Sequence, residues 1–233
     1  MIPITVVDNF YHDPYAIREY AMSLDYSRED NSPWPGFRSD YLEVINIELH
    51  TLLKAKLTKL FFEDVKDVEF ELQVNFHVTP ASFGNGWVHT DIGTSFAGVI
   101  YLTPNAPLEC GTTIFNNLPR ELKLSIDARY KETNGYETHI KSAKQHAFKI
   151  AELNIGNSEP YDIIREEHNN RFTESCKISN MFNRLVIYPS NLYHTESKFF
   201  GTSLNDSRLT QVFFATIKTT KLFPLDRMWS TSQ

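Results

Sequence analysis

Phe70-Glu71-Leu72-Gln73-Val74-Asn75-Phe76-His77 alternates apolar and polar side chains. A strand turns successive side chains to opposite faces, so the stretch reads as a strand that buries Phe70, Leu72, Val74 and Phe76. Its polar face, with Asn75 and His77, either lines a pocket or meets solvent. Short strand-like segments follow at 87–92, 97–103 and 112–116, then at 184–188, around Tyr193-His194, and at 209–217, with Gly, Pro and Asn turns between them. Several short strands punctuated in this way point to a β-sandwich or a jelly-roll barrel.

Outside this core the pattern is helical. An apolar strand at 4–7 precedes a helix over 14–24, with Asp13 as N-cap and Pro14 at the first position, where a missing N–H costs nothing. A loop rich in turn formers surrounds Pro33-Trp34-Pro35-Gly36. A second helix is expected over 45–61, with Leu49, Leu52, Leu53, Leu57 and Leu60 forming a face that packs on a sheet. Between the two strand-rich regions, charge rises and helix signals replace strand signals. Helices are expected over 138–153 and 158–170, in an insertion that serves as a lid or side wall.

The bulk numbers narrow the classes. At 233 residues and 41% hydrophobic the chain supports one domain with embellishments, or two small ones, and a sizeable core. A net charge of −6 argues against non-specific nucleic-acid binding. Two cysteines, Cys110 and Cys176, are too few for a disulfide framework and match a reducing compartment. No apolar run is long enough to span a bilayer, and Met1-Ile2-Pro3-Ile4 lacks the basic start of a signal peptide. A soluble, cytoplasmic protein is expected, with no nucleic-acid or membrane partner.

The chemistry concentrates in Trp87-Val88-His89-Thr90-Asp91, then His194, then Arg208. In a strand-like segment His89 and Asp91 project to one side. Two imidazoles and one carboxylate on one face of a metal leave coordination positions open, as in the 2-His-1-carboxylate sites of non-heme Fe(II) oxygenases. His194 falls just beyond the apolar run Leu185-Val186-Ile187-Tyr188. Arg208 opens the last strong strand, with Thr210 on the same face. A guanidinium there clamps a carboxylate through two parallel hydrogen bonds, which a lysine does not match. The bland alternatives are a surface or capped-loop role for each histidine and an ion pair of Arg208 with Asp206 or Glu196. Glu137-x-His139 and Glu166-x-His168 offer carboxylate–imidazole pairs in reversed order. Helical geometry sends i and i+2 apart, so both read as solvated surface, and His12, His50 and His146 have no ligand context.

On these residues the chain resembles the Fe(II)/2-oxoglutarate-dependent dioxygenases, on their prolyl-hydroxylase-like side. The likeness is carried by His89-Thr90-Asp91, Val99-Ile100-Tyr101-Leu102-Thr103, Cys110-Gly111-Thr112-Thr113-Ile114-Phe115, Asn183-Arg184-Leu185-Val186-Ile187-Tyr188, His194 and Arg208-Leu209-Thr210. It implies a mainly β (α+β) fold: a double-stranded β-helix (jelly-roll) core with N-terminal support helices and a helical insertion. The expected organisation is a single domain over 1–233, with support at 1–66, core at 68–118 and 176–218, and insertion at 119–175. By the resemblance His89, Asp91 and His194 hold Fe(II), and Arg208 with Thr210 holds the distal carboxylate of 2-oxoglutarate. O2 is the second co-substrate, and no catalytic residue beyond the metal ligands is assigned. The family often has lysine where Arg208 stands, and its usual second glycine after Gly111 is replaced. No tyrosine is assigned to 2-oxoglutarate, and strand parity leaves the direction of Tyr101 open.

The implied activity is hydroxylation of a C–H bond in a peptidyl proline, another side chain or a small molecule, with succinate and CO2 as co-products. Two rivals share the barrel. A hydrolase or isomerase would hold Zn²⁺ on the same three ligands and leave Arg208 without a role. A non-catalytic binding module would not need all four positions filled.

Overall fold

The computed structural model describes residues 3–28, 35–91, 93–116, 165–166 and 168–221. The chain order is β1 (Thr5–Val7), α1 (Pro14–Met22), β2 (Phe37–Arg38), α2 (Leu42–Ile45), α3 (Ile47–Phe61), β3 (Val68–Thr79), β4 (Phe96–Tyr101), β5 (Thr112–Phe115), β6 (Glu174–Ile178), β7 (Leu185–Pro189), β8 (His194–Glu196) and β9 (Arg208–Thr220). Among the described residues the strands form two antiparallel sheets. The larger runs β1-β7-β4-β9-β3-β2 and the smaller β6-β5-β8. This is the expected mainly β architecture with flanking helices.

Strand parity divides the large sheet into two environments. Phe70, Leu72, Val74 and Phe76 join Ile100, Leu185, Leu209, Phe213 and the helices in one apolar layer. The opposite face carries Val99, Tyr101, Val186 and Tyr188, which pack with Ile114 and Ile178 of the small sheet. The central strands β7, β4 and β9, with β3, are thus apolar toward the helices, and the face toward the small sheet, where the site lies, is mixed. β3 and β9 keep one register from Phe70 to Thr79, past a bulge between Glu69 and Phe70, pairing His77 with Thr210 and Thr79 with Arg208.

The helices follow their caps. The Asp13 side chain accepts the N–H of Ala16, and α1 ends at Met22, two residues short of the expected boundary. The helix expected over 45–61 is α3, begun two residues later by Asn46, whose side chain accepts the N–H of Leu49, and the short α2 precedes it. Leu49, Leu53, Leu57 and Phe61, spaced by four, form the buried stripe. Leu52 and Leu60 were expected on that face but are 49% and 38% exposed, because they sit one position to its side.

Two further expectations change. Residues 87–91 form no strand; an isolated bridge joins His89 to His194. Of the insertion, the helix expected over 138–153 and the Glu137–His139 pair lie outside the described residues. The part that is described, Arg165, Glu166, His168 and Asn169, is helical and leads into β6. No helix among the described residues is long and apolar enough to cross a membrane.

Candidate functional site

Two backbone segments meet at the site. The His89 N–H donates to the His194 carbonyl at 3.0 Å, and the His194 N–H returns the bond at 2.9 Å. The bridge sets the two rings 4.4 Å apart, centroid to centroid. The Asp91 N–H donates to the Ser190 carbonyl at 2.9 Å, which ties the carboxylate to the turn ahead of β8. Gly86 makes room for this pairing, since a Cβ there would overlap the Glu196 carboxylate and the Thr195 hydroxyl.

The candidate ligand atoms converge. His89 Nε2 lies 3.5 Å from Asp91 Oδ1, and His194 Nε2 lies 3.4 Å from Asp91 Oδ2. One atom from each of His89, Asp91 and His194 falls within 4.8 Å of the others. Each imidazole is held by the carbonyl two residues before it. His89 Nδ1 donates to Trp87 O at 2.7 Å, and His194 Nδ1 donates to Leu192 O at 3.0 Å. A proton on Nδ1 leaves the Nε2 lone pair for a metal, the usual outer-shell device of metal sites. Burial, with the nearby His89, holds His194 down to about 4, so this ring stays neutral and competent as a ligand. Burial also pushes His89 down. The Asp91 hydrogen bond and the charges of Glu196 and Asp91 outweigh it, and the net shift is upward.

The three residues open onto a cavity of ≈ 500 Å³, within the range of small-molecule sites. Arg208 lines it and is 3% exposed. Its Nε has no hydrogen-bond partner, and its guanidinium lies over the Tyr101 ring at 5.5 Å. Neither bland partner pairs with it. Asp206 instead takes the N–H groups of Thr202 and Ser203 at 3.0 and 2.7 Å. Glu196 also lines the cavity without an ion pair to Arg208 among the described residues. Thr210 shares the face of Arg208, fully buried, with an unpartnered hydroxyl, but is not among the residues that line the cavity.

The open questions of strand direction are answered by register. Tyr101 points into the barrel, where its hydroxyl meets Thr112 Oγ1 at 2.6 Å. Asn75 and His77 line the cavity, with His77 Nε2 2.9 Å from Asn75 Oδ1. Burial, then the cations Arg38 and Arg208, push His77 well below its ordinary value, so it stays neutral. Tyr188, known from sequence only as part of an apolar run, sets its ring 4.3 Å from His194. His168 is not solvated surface. Its Nε2 donates to the Val88 carbonyl at 2.9 Å and its ring packs on Trp87. The helix containing it docks on the site-bearing segment, a contact with no signal in local sequence.

The fold is similar to that of HygX from Streptomyces hygroscopicus. With the form described as having nickel and 2-oxoglutarate bound, identity is 11%, covering 91% of this chain and 82% of that one, at a TM-score of 0.53. The iron-bound form gives 12% identity, 91% and 81% coverage and a TM-score of 0.51. The form with nickel, 2-oxoglutarate and hygromycin B gives 12%, 91%, 82% and 0.52. These likenesses show that the architecture is the jelly roll expected of the Fe(II)/2-oxoglutarate-dependent dioxygenases. No curated protein matches the sequence. The family model described as "Family of unknown function (DUF6445)" matches residues 1–214, so the chain belongs to the DUF6445 family.

Proposed function

We propose that this protein is an Fe(II)- and 2-oxoglutarate-dependent dioxygenase that hydroxylates a C–H bond of a small-molecule or peptide substrate. In this reading His89, Asp91 and His194 hold the metal. Arg208 holds the distal carboxylate of 2-oxoglutarate, with Thr210 as a second contact. When bound, the iron, 2-oxoglutarate and O2 together supply the oxidation, with succinate and CO2 as co-products. The residue types fit the group: two imidazoles, each with Nδ1 held by a backbone carbonyl, turn Nε2 toward the Asp91 carboxylate, whose Oδ2 is buried without a hydrogen-bond partner among the described residues.

The observation that carries the proposal is Arg208. Among the described residues this buried guanidinium has no ion pair, which is costly, and an anion delivered into the same cavity offsets the cost. The Zn²⁺ hydrolase reading gives this cation nothing to bind. The chain's own residues have separable tasks. The Trp87 and Leu192 carbonyls fix the ring tautomers, and the Tyr101 ring holds the guanidinium in place. The apolar Val99, Val212 and Phe214 line the cavity and limit water there. The proposal includes a cytoplasmic setting, which the free Cys110 and Cys176 suit. It also includes the single-domain organisation with 119–175 as an insertion.

Anaerobic titration with Fe(II) and then 2-oxoglutarate tests it, read by the visible metal-to-ligand charge-transfer band. The band is expected for the native protein and absent for His194→Ala. For Arg208→Ala the 2-oxoglutarate needed rises about 100-fold, the loss of two charge-assisted hydrogen bonds. No band, with tight Zn²⁺ binding in its place, would refute the proposal in favour of the hydrolase.

A further inference from the structure

The turn that returns from the insertion makes a set of contacts the metal site does not need for its ligands alone. Val88, the residue before His89, has both backbone polar groups paired by side chains. Its N–H donates to Asn169 Oδ1 at 2.9 Å, and its carbonyl accepts from His168 Nε2 at 2.9 Å. Asn169 Nδ2 also donates to the Gly86 carbonyl at 3.0 Å. On its other side the same segment bridges to β8 through His89 and His194. Two side chains thus stand where a neighbouring strand would: Asn169 holds the same Trp87–Val88 peptide whose carbonyl orients His89 Nδ1, together with the peptide before it, and His168 holds the peptide after it.

A row of rings reaches the second histidine from the same turn. The Trp87 and His168 centroids are 5.5 Å apart, His168 and Phe172 5.3 Å, and Phe172 and Tyr193 4.8 Å. Trp87 lies two residues before His89, and Tyr193 directly precedes His194. The turn therefore touches both ligand-bearing segments, by hydrogen bonds on one and by ring packing on the other.

We propose that His168 and Asn169 are positioning residues that set the orientation of His89 relative to His194 and so tune metal affinity. This rests on the reading of His89, Asp91 and His194 as metal ligands. Peptides 86–88 without these bonds form an unpaired edge, free to rotate, and the Trp87 carbonyl rotates with them. Loss of partners of this outer kind typically lowers metal affinity about 10–100-fold.

The test uses the full chain and four variants: Asn169→Ala, Asn169→Asp, His168→Phe and His168→Gln. The phenylalanine keeps a ring against Trp87 without a donor, and the glutamine keeps a donor without the ring. Two readouts are taken on each. One is Co(II) affinity with the visible d–d spectrum; the other is the His89 ring tautomer from ¹⁵N shifts of the metal-free protein. Asn169→Ala and His168→Phe are expected to weaken Co(II) binding about 10–100-fold, alter the spectrum and mix the tautomers. His168→Gln is expected to stay near the native values. Asn169→Asp keeps the acceptor for Val88 but loses the donor to Gly86, and falls between.

Native affinity, spectrum and tautomer in Asn169→Ala and His168→Phe would overturn the positioning role. Should the native protein bind no Co(II), the metal reading fails, and the tautomer readout alone still decides whether the turn orients His89. A variant that loses thermal stability is scored by its tautomer below the transition, so global destabilisation is not mistaken for positioning.

Discussion

Arg208 illustrates how a single buried charge motivates a proposal for what a cavity binds. Desolvating a guanidinium without a counter-charge opposes folding, and the Tyr101 ring offsets only part of that cost. Arg208→Met keeps the bulk and removes the charge. It is expected to raise the stability of the ligand-free protein by about 1–4 kcal/mol in chemical denaturation, while 2-oxoglutarate no longer raises the melting temperature. A destabilised variant would mean that Arg208 has a counter-charge in solution. Asp206 makes the opposite case. Hydrogen bonds from the Ser203 hydroxyl, then from the N–H groups of Ser203 and Thr202, hold its carboxyl down to about 2. A lowered carboxyl stabilises the folded form above the ordinary value of 3.8 and loses that effect as pH falls toward 2. A carboxyl ¹³C titration is expected to show Asp206 ionised throughout the pH 4–7 range, with amide exchange at Ser203 accelerating only on more acidic titration.

At the scale of elements, the small sheet depends on close backbone approach. A Cβ on Gly111 would overlap the carbonyl oxygen of Ile178, at the end of the β5–β6 pairing. The obstacle is backbone, not a flexible side-chain tip, so no rotamer change relieves it. Gly111→Ala is expected to destabilise the fold by about 1–3 kcal/mol, the usual cost of overpacking, and to shift the denaturation midpoint accordingly. Since β5 also pairs β8, the same variant is expected to loosen His194. α3 shows why a helix face is partly readable beforehand. Leu49, Leu53 and Leu57 belong to the buried stripe in both accounts. Separating Phe61 from Leu60 required knowing where the sheet lies beneath the helix.

Across the whole molecule, the N-terminal layer is latched to the barrel by Asn183. Its side chain accepts the Tyr11 N–H and donates to the Tyr11 carbonyl, both at 2.8 Å, while its own carbonyl accepts the Phe10 N–H at 3.0 Å. It does so at φ 63, a left-handed conformation that asparagine tolerates better than most residues. Asn183→Ala strands two buried backbone groups and adds backbone strain, and is expected to cost about 3–5 kcal/mol. Asn183→Gly relieves the strain only, and its melting temperature should fall between the two. Equal loss in both would assign the whole effect to the hydrogen bonds.

How much was legible beforehand follows from the range of each interaction. The alternation of Phe70 to His77 and the strand-like runs around it are local, because burial of one sheet face is written residue by residue. The types and order of His89, Asp91, His194 and Arg208 are local too, since a metal and a carboxylate each accept few donors. Other features came from contacts between residues far apart in the chain. The β3–β9 register turned Asn75 and His77 toward the cavity, the β4–β9 pairing set Tyr101 against Thr112 and the Arg208 guanidinium, and among the described residues Arg208 has no ion pair. Folding back of the turn at 165–172 placed His168 and Asn169 against Val88, which no periodicity announces. Sequence by itself determined the strand pattern and the chemical types available for a metal and an anion. Tertiary structure alone decided which side chains face one another, because register and packing depend on surfaces assembled from opposite ends of the chain.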